Sequence, residues 1–194
     1  MLNKSTLNRL YVQRKLSMQA IAHHLRCSVH KVQYWMERYG IRRRSISDAI
    51  YLKHNPDGDP FRYLPPKTHR DYVLFGLGLG LYWGEGTRAN RYSIRLGNTD
   101  PLLLMRFIEF LERFFSVKRA DIRFGLQIFT DTDPCIAMRY WIKNLDVKRE
   151  QFGRVVVTRS GSLGTYRRKS QYGVVTVYYH NRKLRDLLIS LLPA

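Results

Sequence analysis

Apolar positions recur at helical spacing three times within the first forty residues: Leu7, Leu10 and Tyr11, then Ile21, Ala22 and Leu25, then Val32 and Met36. Each set falls on one face of a helix. Ser17 and Ser28 stand before the second and third runs as N-caps, and Gly40 follows the third as a C-terminal stop. The turn "LRCS" between the second and third runs is short, which forces those helices to cross steeply. After Gly40 the period is lost. "SISDAIYLKH" suits one short helix, whereas "NPDGDP" and "LPP" break regular structure. A three-helix module over 1–40, a linker over 41–69 and a second module over 70–194 are expected.

The second module alternates between two periods. "DYVLFGLGLGLYWG", "DPLLLMRFIEFLERFF", "DPCIAMRYWIKNL" and "NRKLRDLLISLL" read as helices, the second with Asp100 as its N-cap. "NRYSIRLG", "DIRFGLQIF", "RVVVTRS" and "QYGVVTVYY" read as strands, the last two separated by a basic loop over 160–170. The order is α-β-α-β-α-β-β-α. It predicts an α+β fold with one antiparallel or mixed sheet and helices on one face. Period two assigns Tyr92, Ile94 and Leu96 to the dry face of the first strand, and Arg91, Ser93 and Arg95 to the other. In the second strand Ile122, Phe124, Leu126 and Ile128 oppose Arg123, Gly125 and Gln127. One face of the sheet is therefore expected to be basic.

Charge sharpens this picture. The chain of 194 residues carries 34 Lys and Arg against 15 Asp and Glu, a net +19. Residues 1–57 carry 11 basic and 3 acidic side chains, residues 58–136 carry 11 and 9, and residues 137–194 carry 12 and 3. Two basic ends flank a nearly balanced middle, which favours a polyanionic partner, above all nucleic acid. Cys27 and Cys135 form no CxxC pair, so neither a disulfide framework nor a zinc site is expected, and a cytoplasmic setting fits. The apolar run "YVLFGLGLGLYWG" is too short to cross a bilayer, and the polar N-terminus does not read as a signal peptide. No membrane partner is expected.

The N-terminal pattern "LSMQAIAHHLRCSVHKVQYWM" resembles a resolvase-like helix-turn-helix, with Arg26 standing where that family usually has glycine in the turn. The resemblance implies that the third helix enters the DNA major groove. His30 and Gln33 are then candidates for base edges, Val29 for a thymine methyl and Lys31 for phosphate. The cluster Arg42, Arg43 and Arg44 would follow the backbone or a minor groove.

Gly76, Gly80 and Gly84 recur every four residues and share one helix face. Each costs helix stability of roughly 1 kcal/mol relative to alanine, so the stripe suits close packing of two helix copies. "GLGLG" completes no dinucleotide fingerprint, since Leu81 occupies the third glycine position after Gly76 and Gly78. Instead "GLGLYWGEG" (78–86) resembles the LAGLIDADG motif of homing endonucleases. Gly80 and Gly84 match its small positions, Glu85 its penultimate acid and Gly86 its final glycine, and the resemblance covers about 71–193. It implies a LAGLIDADG-like domain in which the motif helices, through Gly76, Gly80 and Gly84, form the interface between two halves. The acid Glu85 would coordinate Mg²⁺ as the catalytic group, and the sheet would straddle the major groove. One motif per chain implies a homodimer and a nearly palindromic target.

Arg91, Ser93, Arg95, Arg123, Gln127, Arg159, Arg167, Arg168 and Lys169 are the expected DNA contacts of this domain. The strand "GVVTVYY" lacks the lysine that family nucleases usually place there. The expected function is a site-specific, Mg²⁺-dependent endonuclease on double-stranded DNA. A transcription regulator of the same fold without chemistry is one alternative, and an RNA-binding maturase is another.

Overall fold

Two hydrophobic clusters with no residue in common divide the chain between Pro60 and Phe61. The structure, a computed structural model, describes residues 1–160 and 170–193. In the first unit α1 (Lys4–Leu7) continues as a π-helical segment, Asn8–Gln13, and is followed by α2 (Met18–His24), α3 (Val29–Arg38) and α4 (Ile46–His54). The stripes expected to face inward do so: Leu7, Leu10, Tyr11, Ile21, Ala22, Val32 and Met36 are buried, with Leu25 partly so. The Ser17 and Ser28 hydroxyls accept from the amides of Ala20 (3.0 Å) and Lys31 (3.2 Å), which satisfies donors the helix itself leaves unpaired.

Both turns around α3 use the left-handed backbone region. Arg26, standing in a position that favours glycine, has φ +49°. Gly40 has φ +67° and closes α3: its N–H reaches Glu37 O at 3.0 Å, and the Ile41 N–H reaches Met36 O at 2.8 Å. That pair of bonds, with Ile41 and Met36 in one cluster, is the Schellman arrangement.

The second unit contains α5 (His69–Glu85), β1 (Ile94–Asn98), α6 (Pro101–Phe115), β2 (Arg123–Phe129), α7 (Pro134–Leu145), β3 (Val156–Thr158), β4 (Val174–Tyr179) and α8 (Arg182–Ser190). Asp100, Asp133 and Asn181 cap α6, α7 and α8. The fold is α+β. The sheet is mixed, in the order β1-β4-β2-β3; β4 is antiparallel to both β1 and β2, and β3 is parallel to β2. One face is dry. Ile94, Leu96, Phe124, Leu126, Ile128, Val175, Val177 and Tyr179 are buried there with Phe107, Ile108, Phe110, Leu111 and Phe114 of α6 and Trp141 of α7.

Residues 41–69 do not behave as one free tether. Ile41 is buried in the first core and Arg44 is tied to it, whereas beyond Pro60 the amides of Arg62 and Leu64 donate to Phe115 O (3.0 Å) and Phe114 O (2.7 Å) at the end of α6. Between them α4 buries no residue. No helix among the described residues is long and apolar enough to cross a membrane.

Candidate nucleic-acid interface

Three surfaces carry the residues expected to act, one on the first unit and two on the second. On α3, the burial of Val32 and Met36 turns His30 and Tyr34 outward. Val29, His30 and Lys31 are exposed, as are Arg42 and Arg43 beyond the helix. Gln33 is half-buried, and its Nε2 donates to Glu37 Oε1 at 3.1 Å. Tyr34, 54% exposed, accepts from Arg38 Nη1 at 3.2 Å. Sequence reasoning missed Tyr34, because an aromatic residue among helically spaced apolar positions reads as core. The structural signal is its place opposite Val32.

Arg44 is corrected from a phosphate contact to a structural residue. Its guanidinium lies 4.0 Å from the Tyr11 ring centroid and donates to the carbonyls of Lys15 (3.0 Å), Leu16 (3.0 Å) and Tyr11. Tyr11 lies in the last turn of the π-helical segment, where the helix supplies no donors of its own, and Lys15 and Leu16 lie in the stretch that follows it. Arg44 provides them from a planar fork that matches several acceptors at once.

The open face of the sheet is built in rows across β1, β4 and β2. Arg95 and Arg123 both stand opposite Tyr178; Gly97 and Gly125 both stand opposite Thr176; Gln127 stands opposite Val174. In the first row the Arg95 guanidinium lies 5.3 Å from the Tyr178 ring centroid. The second row explains its glycines. A methyl on Gly125 would come within 2.9 Å of the Tyr178 ring, and one on Gly97 within 3.0 Å of Thr176 Oγ1. Tyr178 therefore leans over Gly125 and keeps this part of the face low. Arg123 is exposed, with Nη1 also donating to Ala120 O at 2.6 Å, and Gln127 Nε2 donates to Thr158 Oγ1 at 3.1 Å. Tyr178 and Thr176 were not among the expected contacts, since a strand with tyrosines at its end gives no sign of which one faces outward until its register is known.

Two assignments at the start of β1 are corrected. Ser93 is 1% exposed and does not face outward, and Tyr92 is 69% exposed and does not face inward. The cause is Asn90, whose side-chain carbonyl accepts from the N–H groups of Tyr92 (2.9 Å) and Ser93 (3.0 Å) and from the Ser93 hydroxyl (3.0 Å). This turn replaces the first residues of the expected strand, so period two starts only at Ile94. Ser93 Oγ accepts from Arg95 Nε at 2.9 Å and so helps orient that guanidinium. Arg91 is exposed in the same turn, and Arg159 is exposed just past β3. Arg167, Arg168 and Lys169 lie outside the described residues.

The third surface is the outer edge of α5. Asp71 fixes its start: the carboxylate accepts from the Thr68 N–H at 3.1 Å, while the Thr68 hydroxyl accepts from the Asp71 N–H at 3.2 Å. Arg113 of α6 donates to the same carboxylate at 3.1 Å. That guanidinium, helped by the Thr68 and Lys67 amides against the cost of burial, holds the Asp71 pKa at about 2. Further along, Gly78 faces inward, and any Cβ there would collide with the Phe110 ring. Tyr82 is buried and stacks on Phe107 at 6.0 Å. Burial pushes its hydroxyl pKa up, while Arg185 and Arg88 nearby pull it the other way.

Gly76, Gly80 and Gly84 face away from this packing, and a Cβ on any of them would meet nothing within 4 Å. Beside them Tyr72, Val73, Leu77 and Trp83 are 44–61% exposed. Glu85 is the last, exposed residue of α5. The chain beyond it is stitched to β1, with Gly86 bridged to Leu96 and the Thr87 N–H donating to Arg95 O at 2.9 Å. The helix end bearing Glu85 thus adjoins the strand bearing Arg95. Among the described residues no group of three His, Cys, Asp or Glu is arranged to hold a metal ion. Comparison with known proteins gives no match, whether to a family model, a curated protein or a solved structure.

Proposed function

We propose that the chain is a sequence-specific, double-stranded DNA-binding protein that works as a homodimer and hydrolyses a phosphodiester with Mg²⁺. The reading rests on α5, whose glycine edge and neighbouring apolar side chains are exposed among the described residues and lead to an exposed carboxylate next to the strand that bears Arg95. A stripe that lowers helix stability and packs nothing among the described residues makes sense if a second copy lies against it.

One carboxylate per chain fits Mg²⁺, which is held by one or two acids together with water and substrate phosphates rather than by an all-protein cage. Glu85 from each copy would hold it, and the metal would supply Lewis acidity at the scissile phosphate. The residues of this chain do the rest. Arg95, Arg123 and Gln127 meet the duplex from the open face, and exposed α3 reads base edges. Val29, His30, Lys31, Arg42 and Arg43 belong to that reading head.

A specific observation keeps the regulator without chemistry as the second reading. The open-face positions of β4 are Val174, Thr176 and Tyr178, none of which ordinarily accepts a proton near neutral pH. Supercoiled plasmid incubated with Mg²⁺ and either wild type or Glu85→Gln separates the two. Cutting by wild type alone, with specific binding kept in both, supports the nuclease. Specific binding without cutting by either supports the regulator, and preference for structured RNA at matched salt supports the maturase instead.

A further inference from the structure

Glu37 is the only carboxylate in the first 47 residues, which carry ten Lys and Arg. It is exposed in the last turn of α3, where a negative charge opposes the helix dipole. The helix dipole does not explain it, and neither does attraction to phosphate. Its position is regular, however. His30, Gln33, Tyr34 and Glu37 follow i, i+3, i+4, i+7 along the side of α3 away from buried Val32. Among the described residues its side chain meets one donor, the Gln33 amide at 3.1 Å. That bond engages Glu37 Oε1 and uses a Gln33 amide hydrogen, so the second carboxylate oxygen and the Gln33 carbonyl oxygen keep their capacity to accept.

A carboxylate on a surface built for DNA weakens binding to every sequence through repulsion from phosphate, unless a donor in the groove meets it. In the major groove the amino group N4 of cytosine is such a donor, and carboxylates pair with it. We infer that Glu37 is a specificity-determining residue of α3, accepting from cytosine N4 while holding Gln33 in its reading orientation. The inference rests on α3 being the helix that faces DNA. Glu37 then acts as a filter, lowering affinity for all duplexes and restoring it only where cytosine is in register.

The test is selection of duplexes from a randomised pool by the full chain and by Glu37→Ala and Glu37→Gln, followed by binding measurements at each position of the winning site. Wild type is expected to enrich cytosine at one position of each half-site. Glu37→Ala should lose preference there by about 10- to 100-fold, keep its preferences elsewhere and bind random duplex at least as tightly. Glu37→Gln should shift that position toward adenine, which a side-chain amide reads with two bonds. Neither variant should melt below wild type, whereas a merely structural Glu37 would lower the melting temperature without changing the site. Variants that select the wild-type site unchanged would overturn the inference and leave α3 as the reading helix. A wild-type protein that selects no sequence would overturn both.

Discussion

Asp71 and Arg44 each supply a partner that a helix lacks and also tie that helix to a distant part of the chain. Asp71 pairs with Arg113 across α5 and α6 while capping α5, and its pKa of about 2 lies below the ordinary 3.8. A carboxyl group with a lowered folded pKa stabilises fully above its unfolded pKa and loses that contribution as pH falls through the folded one. Stability should therefore drop between about pH 4 and pH 2, and Asp71→Asn should remove much of this acid limb while lowering the melting temperature at pH 7. Acid titrations of both proteins followed by circular dichroism check this; identical limbs would argue against it. Arg44 behaves differently from its neighbours in the triplet. Arg43→Ala should reduce the slope of log K against log salt by about 0.9, one phosphate contact, without changing the melting temperature. Arg44→Ala should chiefly lower the melting temperature, because the carbonyls of Tyr11, Lys15 and Leu16 lose their donor.

At the scale of elements, the two sides of α5 use glycine for opposite reasons. Gly78 lets α5 approach α6 at Phe110, so Gly78→Ala should destabilise the fold by about 1–3 kcal/mol through overpacking. Gly80 faces open space, so Gly80→Ala should stabilise the isolated chain by up to about 1 kcal/mol through helix propensity. If a second copy uses that edge, the same change should weaken self-association, measured by sedimentation across a concentration series. A Gly80→Ala protein that is more stable and equally dimeric would move the dimer interface elsewhere. Among the sheet elements, β4 is the organiser: it bonds β1 and β2, and its Thr176 and Tyr178 fill the space left by Gly97 and Gly125. That row could not be read in advance. Alternation shows which residues of a strand share a face, but not which residues of another strand lie opposite them.

For the molecule as a whole, the sequence by itself determined the order of the elements, the separate apolar stripes of the two units and the caps Ser17, Ser28 and Asp100. These are local properties, because spacing at 3.6 or 2.0 and a side chain bonded to its own backbone need no distant partner. Leu7, Ile21, Val32 and Met36 were legible as core for this reason, as were Asp100 as a cap and Arg95 and Arg123 as outward residues. Tertiary structure decided whatever depends on residues far apart in the chain. It drew Arg44 onto Tyr11, set Arg95 and Arg123 on either side of Tyr178, and left the Gly76–Gly80–Gly84 edge uncovered while Gly78 was filled. The failure at Ser93 was local in origin: Asn90 competed for the same amides and won, so the strand began later than its pattern suggested. Charge is additive along a chain and so announces a polyanion early, whereas the shape that meets it exists only once strands have chosen neighbours and register.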